Sequence, residues 1–185
     1  MISLSKVKQA KSEYKRIRTL FLSAFPLEER PPFFFLKARA KQNVDWWNIL
    51  SDGKWVGFFY VITSSDLVYL FYFAIDPSMR GKGCGTAAMS QLLRQYEGKR
   101  LFLAIEPIEP KAENYRERVN RRNFYLKCGL SPLGKSIQEG TVVYELLGIG
   151  GSVEPKEYKE LMNQWLGGLV KHLITIRMLP PPSAI

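Results

Sequence analysis

The spacing of apolar positions changes along the chain, and each change marks an element. Residues 2–5 are read as a short strand. Val7, Ala10, Tyr14, Ile17 and Phe21 recur at helical spacing with Lys, Arg and Ser between them, which predicts an amphipathic helix ending near Phe25-Pro26. A proline-bounded loop runs to Pro32, and Phe33–Leu36 opens a second short helix. Asp45–Leu50, Trp55–Ile62 and Leu67–Ile75 read as strands, joined by the tight Asp52-Gly53 turn and by Ser64-Ser65-Asp66 into an antiparallel meander. Met89, Leu92, Leu93 and Tyr96 lie at i, i+3, i+4 and i+7, so a helix spans about 83–97 and stops at Gly98. Arg100–Ile105 is a short apolar strand, buried on both faces by this pattern. Coming after a strand and a helix, it should lie parallel to Leu67–Ile75 through a right-handed crossover.

A charged helix follows over 112–127, with Tyr115, Val119 and Leu126 on one side and Gly129 at its end. Strands at Leu130–Ile137 and Thr141–Leu147 flank Gln138-Glu139-Gly140. The last helix, Glu154–Leu166, carries Tyr158, Leu161, Met162 and Trp165 on one face. Residues 1–166 thus read as one domain without internal repeats. The remainder, 167–185, begins Gly-Gly, carries an apolar, basic stretch and ends in prolines. A frayed extension, a membrane-surface or partner helix, and appended sequence all stay open for it.

The chain is organised around Ile75-Asp-Pro-Ser-Met-Arg80-Gly-Lys-Gly-Cys-Gly85-Thr86. An aromatic strand feeds this stretch and a helix leaves it. Gly81, Gly83 and Gly85 allow sharp bends and close approach to a ligand. The N–H groups opening the helix would converge where its dipole favours an anion, with Arg80 and Lys82 at the rim. The physical reading is a phosphate cradle. Gly-Lys-Ser/Thr after four spacers is missing, which excludes a P-loop, and the final spacing of a dinucleotide fingerprint is missing too.

Composition narrows the partners. With 46% hydrophobic residues the chain is globular, and 185 residues suffice for a real core. A net charge of +10 suits a polyanionic ligand. The basic residues are scattered, which argues for a solvated surface over a nucleic-acid interface. Two distant cysteines and one histidine do not make a zinc site. Cys84 and Cys128 are expected to be reduced thiols in a cytoplasmic protein, and Cys84 to be a small side chain in a tight loop. No apolar run reaches the length of a membrane span, and residues 1–18 do not resemble a signal peptide.

Arg80-x-x-Gly83-x-Gly85 resembles the Q/R-x-x-G-x-G/A motif of the GNAT (GCN5-related) N-acetyltransferases. Ile75-Asp-Pro77 resembles the step before that family's loop, and Tyr125-x-x-x-Gly129-Leu130 the step ending its fourth helix. The resemblance covers most of residues 1–166. It implies a mixed α/β fold with a mostly antiparallel sheet, split by a V-shaped gap and covered by helices on both faces. It implies transfer of acetyl from acetyl-coenzyme A to an amine of a small molecule or peptide, with no metal. Arg80, Gly81, Lys82, Gly83, Cys84, Gly85 and Thr86 would hold the pyrophosphate. Phe73, Ala74 and Ile75, near a bulge, would pair with the pantetheine arm and polarise the thioester. Tyr125 is the candidate acid. Glu106, in a Leu-x-Ile-Glu-x-Pro step shared with mostly bacterial members, is the candidate base. A salt bridge to the arginines of the next helix is its other reading. Arg118 stands where the family often has Asn, which leaves one pantetheine contact open. Arg116, Arg118, Arg121 and Arg122 could meet coenzyme A phosphates or cover the helix. The family's acceptor wall would include Glu28, Glu29 and Phe33–Phe35. A homodimer through the last strands or the tail, a non-catalytic acyl-coenzyme A module and an RNA-associated substrate are further readings.

Overall fold

The computed structural model describes residues 1–8, 10–40, 43–139, 142–167 and 176–179. Its strands are β1 (Ile2–Lys6), β2 (Val44–Ser51), β3 (Lys54–Ser64), β4 (Leu67–Ile75), β5 (Arg100–Ile105), β6 (Ser131–Glu139), β7 (Val142–Ile149) and β8 (Ile176–Leu179). Its helices are α1 (Lys11–Ala24), α2 (Phe33–Arg39), α3 (Cys84–Gln95), α4 (Tyr115–Lys127) and α5 (Pro155–Leu166), with 3-10 turns at Leu27–Glu29 and Pro77–Met79. The strand order is β1-β2-β3-β4-β5-β7-β6-β8 in a mostly antiparallel sheet. The expected parallel pair is present: Leu67, Val68 and Tyr69 of β4 face Arg100, Leu101 and Phe102 of β5. The chain forms two compact units, Met1–Thr63 with Leu70–Glu97, and Ser64–Tyr69 with Gly98–Ile185.

In the first unit, successive residues of β2 sort the helices onto opposite faces, because side chains alternate along a strand. Asn48 points to α1. Buried at 1% exposure, it is satisfied there: its amide donates to Glu13 Oε1 (2.8 Å) and its carbonyl accepts from Arg16 (3.3 Å). Trp47 points the other way, and its indole N–H donates to the hydroxyl of Tyr96, the residue that ends α3 (3.2 Å). Tyr96 in turn donates to Asp45 (2.5 Å). Aromatic rings fill the α1 side. Trp46 lies 5.0 Å from Tyr60 and Phe21 5.0 Å from Tyr72. Two phenols tie the loop region to the sheet, Tyr60 donating to the Leu36 carbonyl (3.1 Å) and Tyr72 to that of Glu29 (2.8 Å).

In the second unit, Tyr69 stacks on Phe102 with 4.4 Å between centroids and 9° between planes. Tyr69 and Tyr158 both donate to Glu139 Oε1, at 3.1 and 2.5 Å. The α5 residues Tyr158, Leu161, Met162 and Trp165 are buried, as their spacing predicts. Arg100 holds the unit's edge, binding Asp66 (2.7 Å) and Glu157 (2.7 Å).

Several boundaries differ from the sequence reading. The first helix starts at Lys11, since Val7 still bonds to the carbonyl of Trp46 as an extension of β1. The fourth helix starts at Tyr115. The β6 strand runs through Glu139, so Gln138 and Glu139 belong to it, and Gly140 and Thr141 lie outside the described residues. Within the tail, Ile176–Leu179 forms an antiparallel strand on β6. Residues 168–175 and 180–185 lie outside the described residues.

Candidate functional site

The glycine loop is built as its sequence suggests. Asp76 begins the 3-10 turn, accepting from the Ser78 N–H (2.9 Å) and hydroxyl (2.6 Å). Arg80 turns back to donate to the Ile75 carbonyl (3.1 Å), and Lys82 to that of Ser78 (2.8 Å), so both cations brace the loop they rim. Gly81 and Gly83 have φ of +72° and +75°, a backbone region that side chains resist. Gly83 is the residue before α3, and no side chain caps that helix. The first-turn N–H groups of an α-helix have no partner within it. Here they lie behind a residue whose added Cβ would meet nothing within 4 Å. Cys84 turns inward and is buried. Thr86 is exposed.

The strand feeding the loop depends on a residue that the motif does not contain. A Cβ at Gly57 would lie 2.2 Å from the Ala74 carbonyl oxygen. Opposite β2, the register shifts between Ile49 and Leu50, leaving Val56 as an extra residue of β3. Its carbonyl accepts the N–H of Asp76 (2.8 Å) and so ends β4. A glycine inside a strand signals close backbone approach, and Gly57 was readable on that ground. Of the strand-end candidates, Ala74 and Ile75 are buried, and Phe73 is partly exposed with its ring 4.5 Å from Phe59.

In the second unit, Glu106 follows β5 and meets α4. Arg118 lies 2.6 Å from one oxygen and Arg121 3.0 Å from the other, and Asn114 donates at 3.2 Å. The carboxylate side chain is 12% exposed, so it is an inward pairing. Arg118 also donates to the Pro107 carbonyl (3.0 Å), and Arg122 binds Glu145 (3.0 Å). Three of the four helix arginines therefore serve carboxylates.

Tyr125 lies one turn beyond Arg121. It is buried, and burial pushes its phenol up to about 12, with the Arg121 charge opposing. Among the described residues its hydroxyl has no hydrogen-bond partner. The helix ends just after it: Leu130 N–H bonds to the Tyr125 carbonyl (3.2 Å) and Gly129 N–H to that of Leu126 (3.0 Å), with Gly129 at φ +94°. This is a Schellman cap, in which the glycine takes the left-handed position and the flanking apolar residues meet. The Tyr-x-x-x-Gly-Leu spacing is thus a helix stop that holds Tyr125 in place.

On the proposed acceptor wall, the Glu29 carbonyl accepts from Tyr72. Phe33 packs on Phe21 and Trp46, whereas Phe34 is 73% exposed. The side chain of Glu28 lies outside the described residues.

The model of the Acetyltransferase (GNAT) family matches residues 14–130, a span that includes the loop, Glu106 and Tyr125. Solved structures share the fold. A GNAT-family acetyltransferase from Bacteroides thetaiotaomicron superposes with a TM-score of 0.66 at 20% identity, covering 91% of this chain and 98% of that one. The ribosomal-protein-S18-alanine N-acetyltransferase of Escherichia coli gives 0.61 at 18%, covering 83% and 96%. An aminoglycoside 6'-N-acetyltransferase solved with coenzyme A gives 0.60 at 13%, covering 79% and 95%. No curated protein matches the sequence. A family match across well over half of the chain, on the fold these structures share, makes this protein a member of the GNAT acetyltransferase family.

Proposed function

We propose that the protein is an N-acetyltransferase that takes acetyl from acetyl-coenzyme A and gives it to an amine of a small molecule or peptide. The observation that carries the reading is the uncapped N-terminus of α3, open behind the left-handed Gly81 and Gly83. Its N–H groups suit the pyrophosphate, with Arg80 and Lys82 at the rim and Cys84, Gly85 and Thr86 in the first turn. When bound, acetyl-coenzyme A supplies an activated thioester. Phe73, Ala74 and Ile75 are the strand residues to pair with the pantetheine arm. A backbone N–H at Ala74 or Ile75 is the donor to the thioester carbonyl, and losing such a donor costs about 10²–10³ in kcat. The amine must be neutral to attack. As the carbon–sulfur bond breaks, Tyr125 gives its phenolic proton to the leaving sulfur. A phenol held near 12 keeps that proton at neutral pH.

Glu106 has a positioning role in this scheme. With Arg118 on one oxygen and Arg121 on the other, it anchors the helix that carries Tyr125. With both oxygens already engaged by guanidiniums, the amine's proton passes to solvent in this reading, with Glu106 kept as the alternative base. The amine class of the E. coli and aminoglycoside enzymes, by their names, spans protein and small-molecule acceptors, and both stay open for this chain.

Isothermal titration of acetyl-coenzyme A into wild type and Gly83→Glu tests the cradle. A carboxylate at residue 83 would put negative charge on the anion's place and force a side chain into φ +75°. Micromolar binding to wild type and at least a hundredfold loss in the variant are expected. Equal binding to both would remove the cradle from the site.

A further inference from the structure

The backbone around the end of β4 separates the two candidate donors, Ala74 and Ile75. The Ala74 carbonyl lies over Gly57, its oxygen 2.2 Å from where a Cβ at residue 57 would stand. The Asp76 N–H donates to the Val56 carbonyl (2.8 Å). The Ile75 carbonyl accepts from Arg80 Nε (3.1 Å). In an extended strand the N–H and C=O of one residue point to the same edge, and those of its neighbours to the other. Ala74 and Asp76 therefore address β3, and Ile75 addresses the opposite edge. The C=O and N–H of a trans peptide are antiparallel, so a carbonyl turned onto Gly57 turns the Ile75 N–H away from it. The next peptide is held at both ends, its carbonyl by Arg80 and its N–H by Val56. Pairing of β4 with β5 lies at the start of the strand, at Leu67–Tyr69, and Ile75 is its last residue.

This arrangement depends on residue 57 having no side chain. Gly57 is not one of the glycines at positive φ, so its backbone conformation suits any residue. Its strand neighbours Val56 and Phe58 are buried, and a glycine between them has nothing to pack and weakens the strand. What the glycine supplies is the space that the Ala74 carbonyl takes. A Cβ there would meet backbone, not the end of a flexible side chain, so the carbonyl and its peptide plane would have to move. We propose that Gly57 is a positioning residue for acetyl transfer: by leaving room for the Ala74 carbonyl it aims the Ile75 N–H, and not that of Ala74, at the thioester oxygen. The inference rests on the acetyl-coenzyme A reading and narrows it to one donor, held by a residue outside the glycine loop. The N–H keeps its proton and stabilises the charge that gathers on that oxygen during attack.

Infrared difference spectroscopy of acetyl-coenzyme A, isotope-labelled at the acetyl carbonyl and bound to the full chain, reads this hydrogen bond without an acceptor amine. The carbonyl stretch should move to lower frequency on binding to wild type. Gly57→Ala should lose at least half of that shift. Its dissociation constant for acetyl-coenzyme A should change less than threefold, because the cradle's N–H groups belong to α3. A second variant keeps Gly57 and carries the α-hydroxy acid analogue of isoleucine at residue 75, which replaces the N–H by an ester oxygen. It should lose the shift at least as fully. A wild-type shift in either variant would overturn the proposal. So would a greater loss from the matching analogue at residue 74, which would give the bond to Ala74. Affinity falling in step with the shift in Gly57→Ala, or a variant without a cooperative melt, would make the glycine a support of the whole strand and also defeat it. Acetyl-coenzyme A bound to wild type with an unshifted carbonyl would strike this proposal alone. No binding at all would strike the acetyl-transfer reading and this one with it.

Discussion

The two carboxylate-facing and phenolic candidates separate by their partners. Glu106 is inward and doubly paired, with side-chain exposures of 12% for itself and 18% for Arg118. Removing one member of such a pair strands the other charge, at a cost of about 3 kcal/mol. Glu106→Gln should therefore lower unfolding free energy by about that amount in a denaturant titration. As a positioning change it should lower kcat while leaving the acid limb of the kcat/KM–pH profile in place. Loss of that limb would instead assign Glu106 as the base. Tyr125 has no hydrogen-bond partner among the described residues, and its burial favours the protonated phenol. Tyr125→Phe should cut kcat by about a hundredfold and leave the coenzyme A dissociation constant unchanged. A fall in affinity with unchanged kcat would show that the phenol only packs.

At the level of elements, the second unit is pinned by one arginine. Arg100, at the start of β5, reaches Asp66 in the turn before β4 and Glu157 in the first turn of α5. Its guanidinium holds both carboxyls below their ordinary range, chiefly through direct hydrogen bonds. For groups depressed in the folded state, the added stability is present above the ordinary carboxylate range and is lost as pH falls through the folded values. Arg100→Met should thus lower Tm by a few degrees at pH 7. The gap from wild type should narrow as pH falls below the ordinary carboxylate range, where both carboxyls finally protonate. A gap independent of pH, in thermal melts followed by circular dichroism, would mean that the residue acts by packing alone.

For the molecule as a whole, a charge of +10 acts on a polyanionic substrate before contact. Screening shortens this reach to about 8 Å at physiological ionic strength. The dissociation constant for coenzyme A should weaken by about tenfold between about 20 mM and 300 mM salt. Uncharged pantetheine should show almost no change. A flat response for both would mean that the loop's backbone N–H groups, and not the field, supply the affinity. Among the described residues no helix is long and apolar enough to cross a membrane.

Much of this was legible in the chain because it is local. Periods of two and of about 3.6 residues marked the meander, the third helix and the last helix. Gly81, Gly83 and Gly129 take left-handed backbone, which their lack of a Cβ allows without any neighbour in space, whereas Gly85 lies inside α3. Boundaries shifted where pairing with a distant strand extended an element, as for Val7 beside Trp46 and for Gln138 and Glu139 in β6. The strand at Ile176–Leu179 was hidden because its partner lies about 40 residues earlier, and an apolar, basic stretch carries no preference of its own. Three consecutive Phe residues could not be sorted from sequence. Helical rotation turned Phe33 toward Trp46 and Phe34 into solvent. Whether Glu106 meets the helix arginines was likewise undecided until α4 folded back on the end of β5. The sequence by itself determined the elements, the loop chemistry and the family signature, since these rest on backbone preference within a few residues. Only the tertiary structure decided which charges meet and which backbone, the Ala74 carbonyl, closes on Gly57, because each depends on segments that folding alone brings together.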